Sequence, residues 1–92
     1  MLEWGDEKRA QNLKKHGVDF IDAASIFEHP IIETADNRDD FGETRHMALG
    51  HIDDQFYTVI YTSRGKARRL ISAWKAGTNA KERYQAVFTQ RT

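Results

Sequence analysis

The sequence predicts an α+β domain: two N-terminal helices, an antiparallel β-meander sheet and a C-terminal helix. Three observations predict it. Apolar residues recur at helical spacing up to Pro30, alternation rich in β-branched and aromatic residues takes over from Ile31 to Lys75, and helical spacing returns over residues 79–88. Helices and strands are segregated along the chain rather than interleaved. That order packs the helices on one face of an antiparallel sheet and leaves the other face for a site.

Leu2-Glu3-Trp4 reads as a short strand or packed arm. Gly5 can serve as the N-cap of the first helix, with Asp6 in its first turn, where negative charge suits the helix dipole. This helix runs to about His16, and Ala10, Leu13 and the Lys14 stem form a thin core-facing stripe. Its end is well specified. Lys14, Lys15 and His16 put positive charge at the negative end of the dipole, Gly17 can take the left-handed conformation, and Val18 supplies the hydrophobic contact that follows. Asp19 caps a second helix, in which Phe20, Ala23, Ala24 and Phe27 follow i, i+3, i+4, i+7 spacing. His29-Pro30 stops it, because a residue before proline avoids helical geometry.

Ile31-Ile32 is a short strand, and Asp36 to Asp40 is a polar turn or loop. Residues 43–52 form a strand with Arg45, Met47 and Leu49 on one face and His46, Ala48 and Gly50 on the other. Asp53-Asp54 turns the chain into the strand Phe56 to Thr62. Arg64-Gly65-Lys66 is a hairpin turn. In the last strand, residues 67–75, strict alternation puts Leu70, Ser72 and Trp74 on one face and Arg69, Ile71, Ala73 and Lys75 on the other. The final helix opens with Asn79 and Glu82 as a capping pair and carries Ala80, Tyr84, Val87 and Phe88 as its apolar stripe.

Ninety-two residues suit one domain, residues 1–92, with a compact core and a small stability margin. The absence of cysteine excludes disulfides and thiolate metal sites and fits a reducing, cytoplasmic setting. No apolar run approaches the ~20 residues that span a bilayer, and no signal-peptide pattern opens the chain, so no membrane partner is expected. Fourteen basic and fourteen acidic residues cancel, so any nucleic-acid site must be a local basic patch. The lack of a basic recognition helix argues against direct DNA binding.

Three blocks carry a resemblance to a known family. The first is Glu3-Trp4, Lys8, Asn12 and Lys15-His16-Gly17-Val18, continuing through Phe20, Ala23, Phe27 and Pro30. The second is Asp36, Arg38, Asp40-Phe41-Gly42-Glu43 and Arg45. The third is Val59, Tyr61-Thr62, Arg64, Arg69-Leu70-Ile71-Ser72-Ala73 and Lys75-Ala76. In this order they resemble the BrnT family, toxins of bacterial type II toxin–antitoxin pairs that share the RelE-like fold. The resemblance implies an endoribonuclease that inhibits translation, and a BrnA-like ribbon-helix-helix antitoxin as partner. It also implies promoter autorepression, in which DNA is contacted only through the antitoxin. The chain departs from the pattern at three places. Gly5 stands for an aspartate. Trp74 stands for an arginine in the serine-alanine-arginine-lysine run. The C-terminal glutamate-arginine pair and tyrosine fall either on Ala80, Lys81 and Tyr84 or, with a two-residue insertion at Gly77-Thr78, on Glu82, Arg83 and Ala86.

RNA cleavage without a metal or cofactor needs a base for the ribose 2′-hydroxyl, an acid for the leaving 5′-oxygen, positive charge on the phosphorane and in-line geometry. Arg64, at a strand end, is the first candidate for the phosphorane, since a guanidinium offers charged bidentate hydrogen bonds; a solvated turn arginine is the plain alternative. Arg45 and Arg69 are second candidates, with structural ion pairs as the alternative. His16 can act as acid or base, or serve only as a helix-terminus cation. Lys15 is a phosphate-binding candidate with the same alternative. Glu43 is either a base or the partner that orients Arg45. Tyr84 can donate a proton or stack on a base, but its helical spacing also suits the core. Trp74 offers a stacking platform or plain packing, and Lys75 and Lys81 are candidate RNA contacts. Metal chemistry reads poorly. His46 and His51 face opposite sides of one strand, Asp36, Asp39 and Asp40 sit in no calcium-loop pattern, and no phosphate loop or nucleophile elbow is present. Two readings follow: an active ribonuclease toxin, or a catalytically degenerate toxin-derived module that keeps the antitoxin interface.

Overall fold

A computed structural model of the chain describes residues 1–36 and 44–89. The elements are β1 (Leu2–Glu3), α1 (Asp6–His16), α2 (Phe20–Ala24) continued by a 3₁₀ turn (Ser25–Glu28), β2 (Ile32–Asp36), β3 (Arg45–Ile52), β4 (Gln55–Arg64), β5 (Ala67–Lys75) and α3 (Thr78–Thr89). The strands form one sheet in the order β1-β5-β4-β3-β2. β2 to β5 are the expected antiparallel meander. β1 adds a parallel edge, with Leu2 opposite Arg68 and Glu3 opposite Arg69, so the sheet is mixed. The helices carry the chain from β1 across the sheet to β2 at the opposite edge, and β1 meets its parallel neighbour β5 only after the meander has returned, a connection long enough for parallel pairing.

The caps behave as their residue types demand. Gly5 is the N-cap of α1, with Asp6 and Glu7 in the first turn. Gly17 ends the helix in the left-handed region at φ 70°, its N–H donating to the Leu13 carbonyl at 2.9 Å. The Asp19 side chain accepts from the Ile21 N–H at 3.1 Å and is clasped by Arg9, with Nε–Oδ1 at 2.7 Å and Nη2–Oδ2 at 2.9 Å. These bonds, Arg9 first, hold the Asp19 carboxyl below its ordinary pKa.

The helix faces differ from the expectation in three respects. In α1 the buried residue is Asn12, while Leu13 is half exposed and Ala10 is exposed. After α2 the chain tightens into a 3₁₀ turn, so burial follows a threefold period through Phe20, Ala23 and Ile26, and Phe27 is only partly buried. α3 begins at Thr78, one residue before the expected cap, with the Gly77 carbonyl accepting from the Lys81 N–H. Asn79 therefore lies inside the first turn and does not cap it.

The helices do not share one sheet face. α2 and its 3₁₀ turn cover one face, where Val18, Phe20, Ala23 and Ile26 pack on Ala48, Val59, Tyr61, Leu70 and Ala73. α3 covers part of the other, where Tyr84 packs on Leu49 and Phe56 with Ala80 and Phe88 beside it. Two apolar stripes separated by the whole meander end on opposite sides because Leu49 and Phe56 point away from Ala48 and Val59. The 3₁₀ turn approaches β3 closely: a Cβ on Gly50 would lie 2.9 Å from the Ile26 Cβ. The β4–β5 hairpin turns through Gly65-Lys66, with Gly65 at φ 59°.

Candidate functional site

A β-bulge shapes the open part of the α3 face. In β5, Ser72 pairs with Ile60 but Leu70 pairs with Tyr61, so Ile71 is the extra residue. The bulge reverses alternation partway along the strand. Leu70 and Ala73 both enter the α2-side core, and Arg69, Ser72 and Trp74 all point to the α3 side. Strict alternation had separated Arg69 from Ser72 and Trp74.

The same face carries a transverse row of charge. Register aligns Asp36, Arg45, Thr62, Arg69 and Glu3 across all five strands. Arg69 Nη1 donates to Glu3 Oε2 at 2.8 Å, and the Thr62 hydroxyl donates to the Thr44 carbonyl at 2.8 Å. Arg64 is two residues further along β4 on this face and is exposed.

α1 supplies a second group of polar side chains. β1 pairs only with residues 68 and 69, so β5 has an open edge beyond that point. Asn12 closes it. Its Nδ2 donates to the Ala73 carbonyl at 2.8 Å and to the Val18 carbonyl at 2.9 Å, and its Oδ1 accepts from the Ala73 N–H at 3.0 Å. The amide thus stands in for a neighbouring strand's peptide group. A helix docked this way turns a polar stripe toward the sheet, and Lys8, Gln11, Asn12, Lys15 and His16 line a groove with Ile71 and Ser72. The His16 ring lies 5.8 Å from the Trp74 ring, centroid to centroid, with the planes tilted by 41°.

The sequence-predicted residues therefore separate into groups. Lys15, His16, Ser72 and Trp74 are neighbours at the β5 edge. Arg45 and Arg69 lie in the charged row, about 13 Å from Trp74 along the sheet, and Arg64 lies about 20 Å away. Tyr84 is elsewhere: it is buried, its hydroxyl donates to the Pro30 carbonyl at 2.7 Å, and burial pushes its phenol pKa up. It is placed as a packing residue between Phe56 and Phe88. Lys75 is exposed at the end of β5, opposite Tyr57 in register and so on the α2 side; Lys81 is exposed on the first turn of α3. Glu43, with Arg38, Asp39 and Asp40, lies outside the described residues. His46 and His51 do fall on opposite faces, stacking on Tyr61 and Phe56 respectively. No group of three metal-ligating side chains occurs among the described residues.

Asn12, Gln11 and Ser72 line this groove but were not among the site residues expected from the sequence. The signal was present for the first two, since positions 8, 11, 12, 15 and 16 are a complete helical stripe, but the stripe is polar and a search for apolar periodicity passes over it.

A family model described as the ribonuclease toxin BrnT of a type II toxin–antitoxin system matches residues 4–82. A search of curated proteins finds no match. Among solved structures, the chain is similar to the crystal structure of the Brucella abortus ribonuclease toxin BrnT, with 28% identity, a TM-score of 0.63, and coverage of 84% of this chain and 96% of that one. No helix among the described residues is long and apolar enough to cross a membrane. The match spans most of the sequence and includes α1, the bulged strand and the charged row apart from Glu3, and the chain belongs to the BrnT family of ribonuclease toxins from type II toxin–antitoxin systems.

Proposed function

We propose that the chain is a metal-independent endoribonuclease that cleaves RNA by attack of a ribose 2′-hydroxyl on the adjacent phosphate, and that it is held inactive by a ribbon-helix-helix antitoxin. The observation that carries this reading is the convergence produced by the bulge and by Asn12, which put Ser72 and Trp74 beside Lys15 and His16 on an open groove.

His16 is the acid–base group, able to take the 2′-hydroxyl proton and return a proton to the leaving 5′-oxygen. Lys15, next to His16 on the same groove, supplies positive charge to the developing phosphorane, and Ser72 offers a hydroxyl to a non-bridging oxygen. Trp74 supplies a stacking surface for a flanking base. Arg69, Arg45 and Arg64 follow the strand along the sheet, where each can grip a neighbouring phosphate. On this reading Arg64 binds substrate at a distance from the scissile bond rather than stabilising the phosphorane. Atoms balance as in any transesterification: the 2′-oxygen–phosphorus bond forms, the phosphorus–5′-oxygen bond breaks, and the products are a 2′,3′-cyclic phosphate and a 5′-hydroxyl.

Two observations favour the alternative of a degenerate module that only binds its antitoxin. Trp74 stands where the family pattern has an arginine and leans on His16, and Arg69 is engaged by Glu3. Incubating RNA with the protein in excess EDTA and determining the product ends by mass spectrometry separates the two. Cyclic phosphate ends that vanish with His16→Ala support the enzyme. Intact RNA with a folded parent supports the module.

A further inference from the structure

The opposite side of the sheet holds a second polar cluster that the cleavage groove does not use. Beyond the cover of α2, Ser63 and Arg68 are cross-strand partners, and so are His46 and Tyr61 in the adjoining row. Tyr61 is buried and stands between the other two side chains: the His46 ring stacks on it at 5.2 Å from one neighbouring strand, and the Arg68 guanidinium carbon lies 5.5 Å from its centre from the other. Arg68 also lies 4.5 Å from the centre of the Phe27 ring. Aromatic faces hold a guanidinium in place without consuming its N–H donors, so Arg68 is positioned and, among the described residues, its donors are open to an anion. Ala35, opposite His46 in β2, is too small to fill the space beside the imidazole. The result is a shallow depression of about 480 Å³ in which a guanidinium, an imidazole and a hydroxyl converge. Among the described residues, Glu33 is the one carboxylate on its rim.

This depression continues into the proposed substrate path. The two-residue turn Gly65-Lys66 joins β4 to β5, so Arg64 on the α3 side, Lys66 at the tip and Arg68 on the α2 side form a basic line around the end of the sheet. The spacing suits a single strand of RNA, in which one phosphate can meet one cation in turn.

We propose that Arg68, Ser63 and His46 form an RNA phosphate exosite, which binds a nucleotide flanking the cleaved one after the strand has passed over the β4–β5 hairpin. The proposal rests on the ribonuclease reading. The phosphate is held by Arg68 with two N–H donors and by the Ser63 hydroxyl, with His46 alongside. The site lengthens the RNA footprint and favours long substrates over short ones.

Fluorescence anisotropy with 2′-O-methyl RNA, which lacks the attacking hydroxyl, tests this directly. Two lengths are compared, about six nucleotides to fill the groove and about sixteen to reach the exosite. Ser63→Asp places negative charge at an exposed strand end and leaves the core untouched. It is expected to weaken binding of the long RNA about tenfold and to lower its salt dependence by about one phosphate contact, with the short RNA unchanged. Arg68→Gln, read beside its melting temperature, should do the same. Equal affinity of parent and Ser63→Asp for the long RNA, or equal weakening for both lengths, overturns the exosite while leaving the groove intact. A parent that binds neither RNA overturns the ribonuclease reading and the exosite with it. If Ser63→Asp instead weakens antitoxin binding and spares RNA, the cluster is a protein interface and the proposal fails.

Discussion

At the scale of single residues, Asn12 joins the helix that carries Lys15 and His16 to the strand that carries Ser72 and Trp74. Its three buried hydrogen bonds use most of what a side-chain amide can offer. Asn12→Ala leaves the Ala73 N–H and C=O unpaired at a buried edge and should cost about 2–3 kcal/mol, which thermal or urea denaturation will read. A loss under about 0.5 kcal/mol would show that water replaces the amide without penalty. Trp74 poses the sharper functional question. If its indole only packs on His16, Trp74→Arg should raise the cleavage rate, because it returns positive charge to the groove. If the indole stacks on a base, Trp74→Arg should weaken RNA binding by roughly the 1–3 kcal/mol that such a contact is worth.

At the scale of elements, the end of α1 and the start of α2 were plain in the sequence because each cap follows from local chemistry. Gly17 is left-handed for the reason glycine usually is, and Asp19 caps because its carboxylate reaches the Ile21 N–H. The Arg9 clasp adds a pH dependence of known sign. The Asp19 pKa is lowered in the folded chain, so the stability it contributes is present above the unfolded aspartate value of about 3.9 and is lost as pH falls through the lower folded value. Asp19→Asn should therefore flatten the acid limb of a stability–pH curve and leave its neutral region the less stable. An unchanged acid limb would assign acid unfolding to other carboxylates. The close approach of the 3₁₀ turn to β3 gives a second check. Gly50→Ala should destabilise by about 1–3 kcal/mol, because the Ile26 Cβ is part of a packed turn and has little room to move.

The bulge at Ile71 was not legible. Strict alternation over residues 67–75 is the natural expectation for a strand, and nothing local marks Ile71 as extra. What selects the bulge is non-local: Leu70 meets Tyr61 and Ala73 meets Val59 on the same core face, and no straight strand can bury both. The consequence is that Arg69, Ser72 and Trp74, which strict alternation separates, share one face.

At the scale of the whole molecule, the zero net charge hides a strongly uneven distribution. Lys8, Lys15 and His16 line the groove face of α1, and Arg64 and Lys66 sit at the hairpin end of the sheet, while Asp6 and Glu7 lie exposed in the first turn of the same helix and Asp22 lies exposed on α2. RNA affinity should therefore fall steeply with salt despite neutrality. An affinity independent of salt between about 50 and 200 mM would exclude backbone recognition. The α+β class and the order of elements were readable from periodicity. The placement of α3 on the opposite face was not, because an apolar stripe says that a helix packs and not on which side. That placement removes Tyr84 from the groove and commits its hydroxyl to Pro30.

The central claim is that cleavage takes place where α1 meets the bulged strand. Single-turnover cleavage of one end-labelled RNA in EDTA by the parent, His16→Ala and Tyr84→Phe tests it most directly, with saturating protein so that binding does not limit the rate. A loss of about 10²–10⁴-fold is expected for His16→Ala, with little change for Tyr84→Phe once folding is matched. Full activity in His16→Ala, or an equal loss in Tyr84→Phe, would contradict it and move the reacting groups away from the α1–β5 groove.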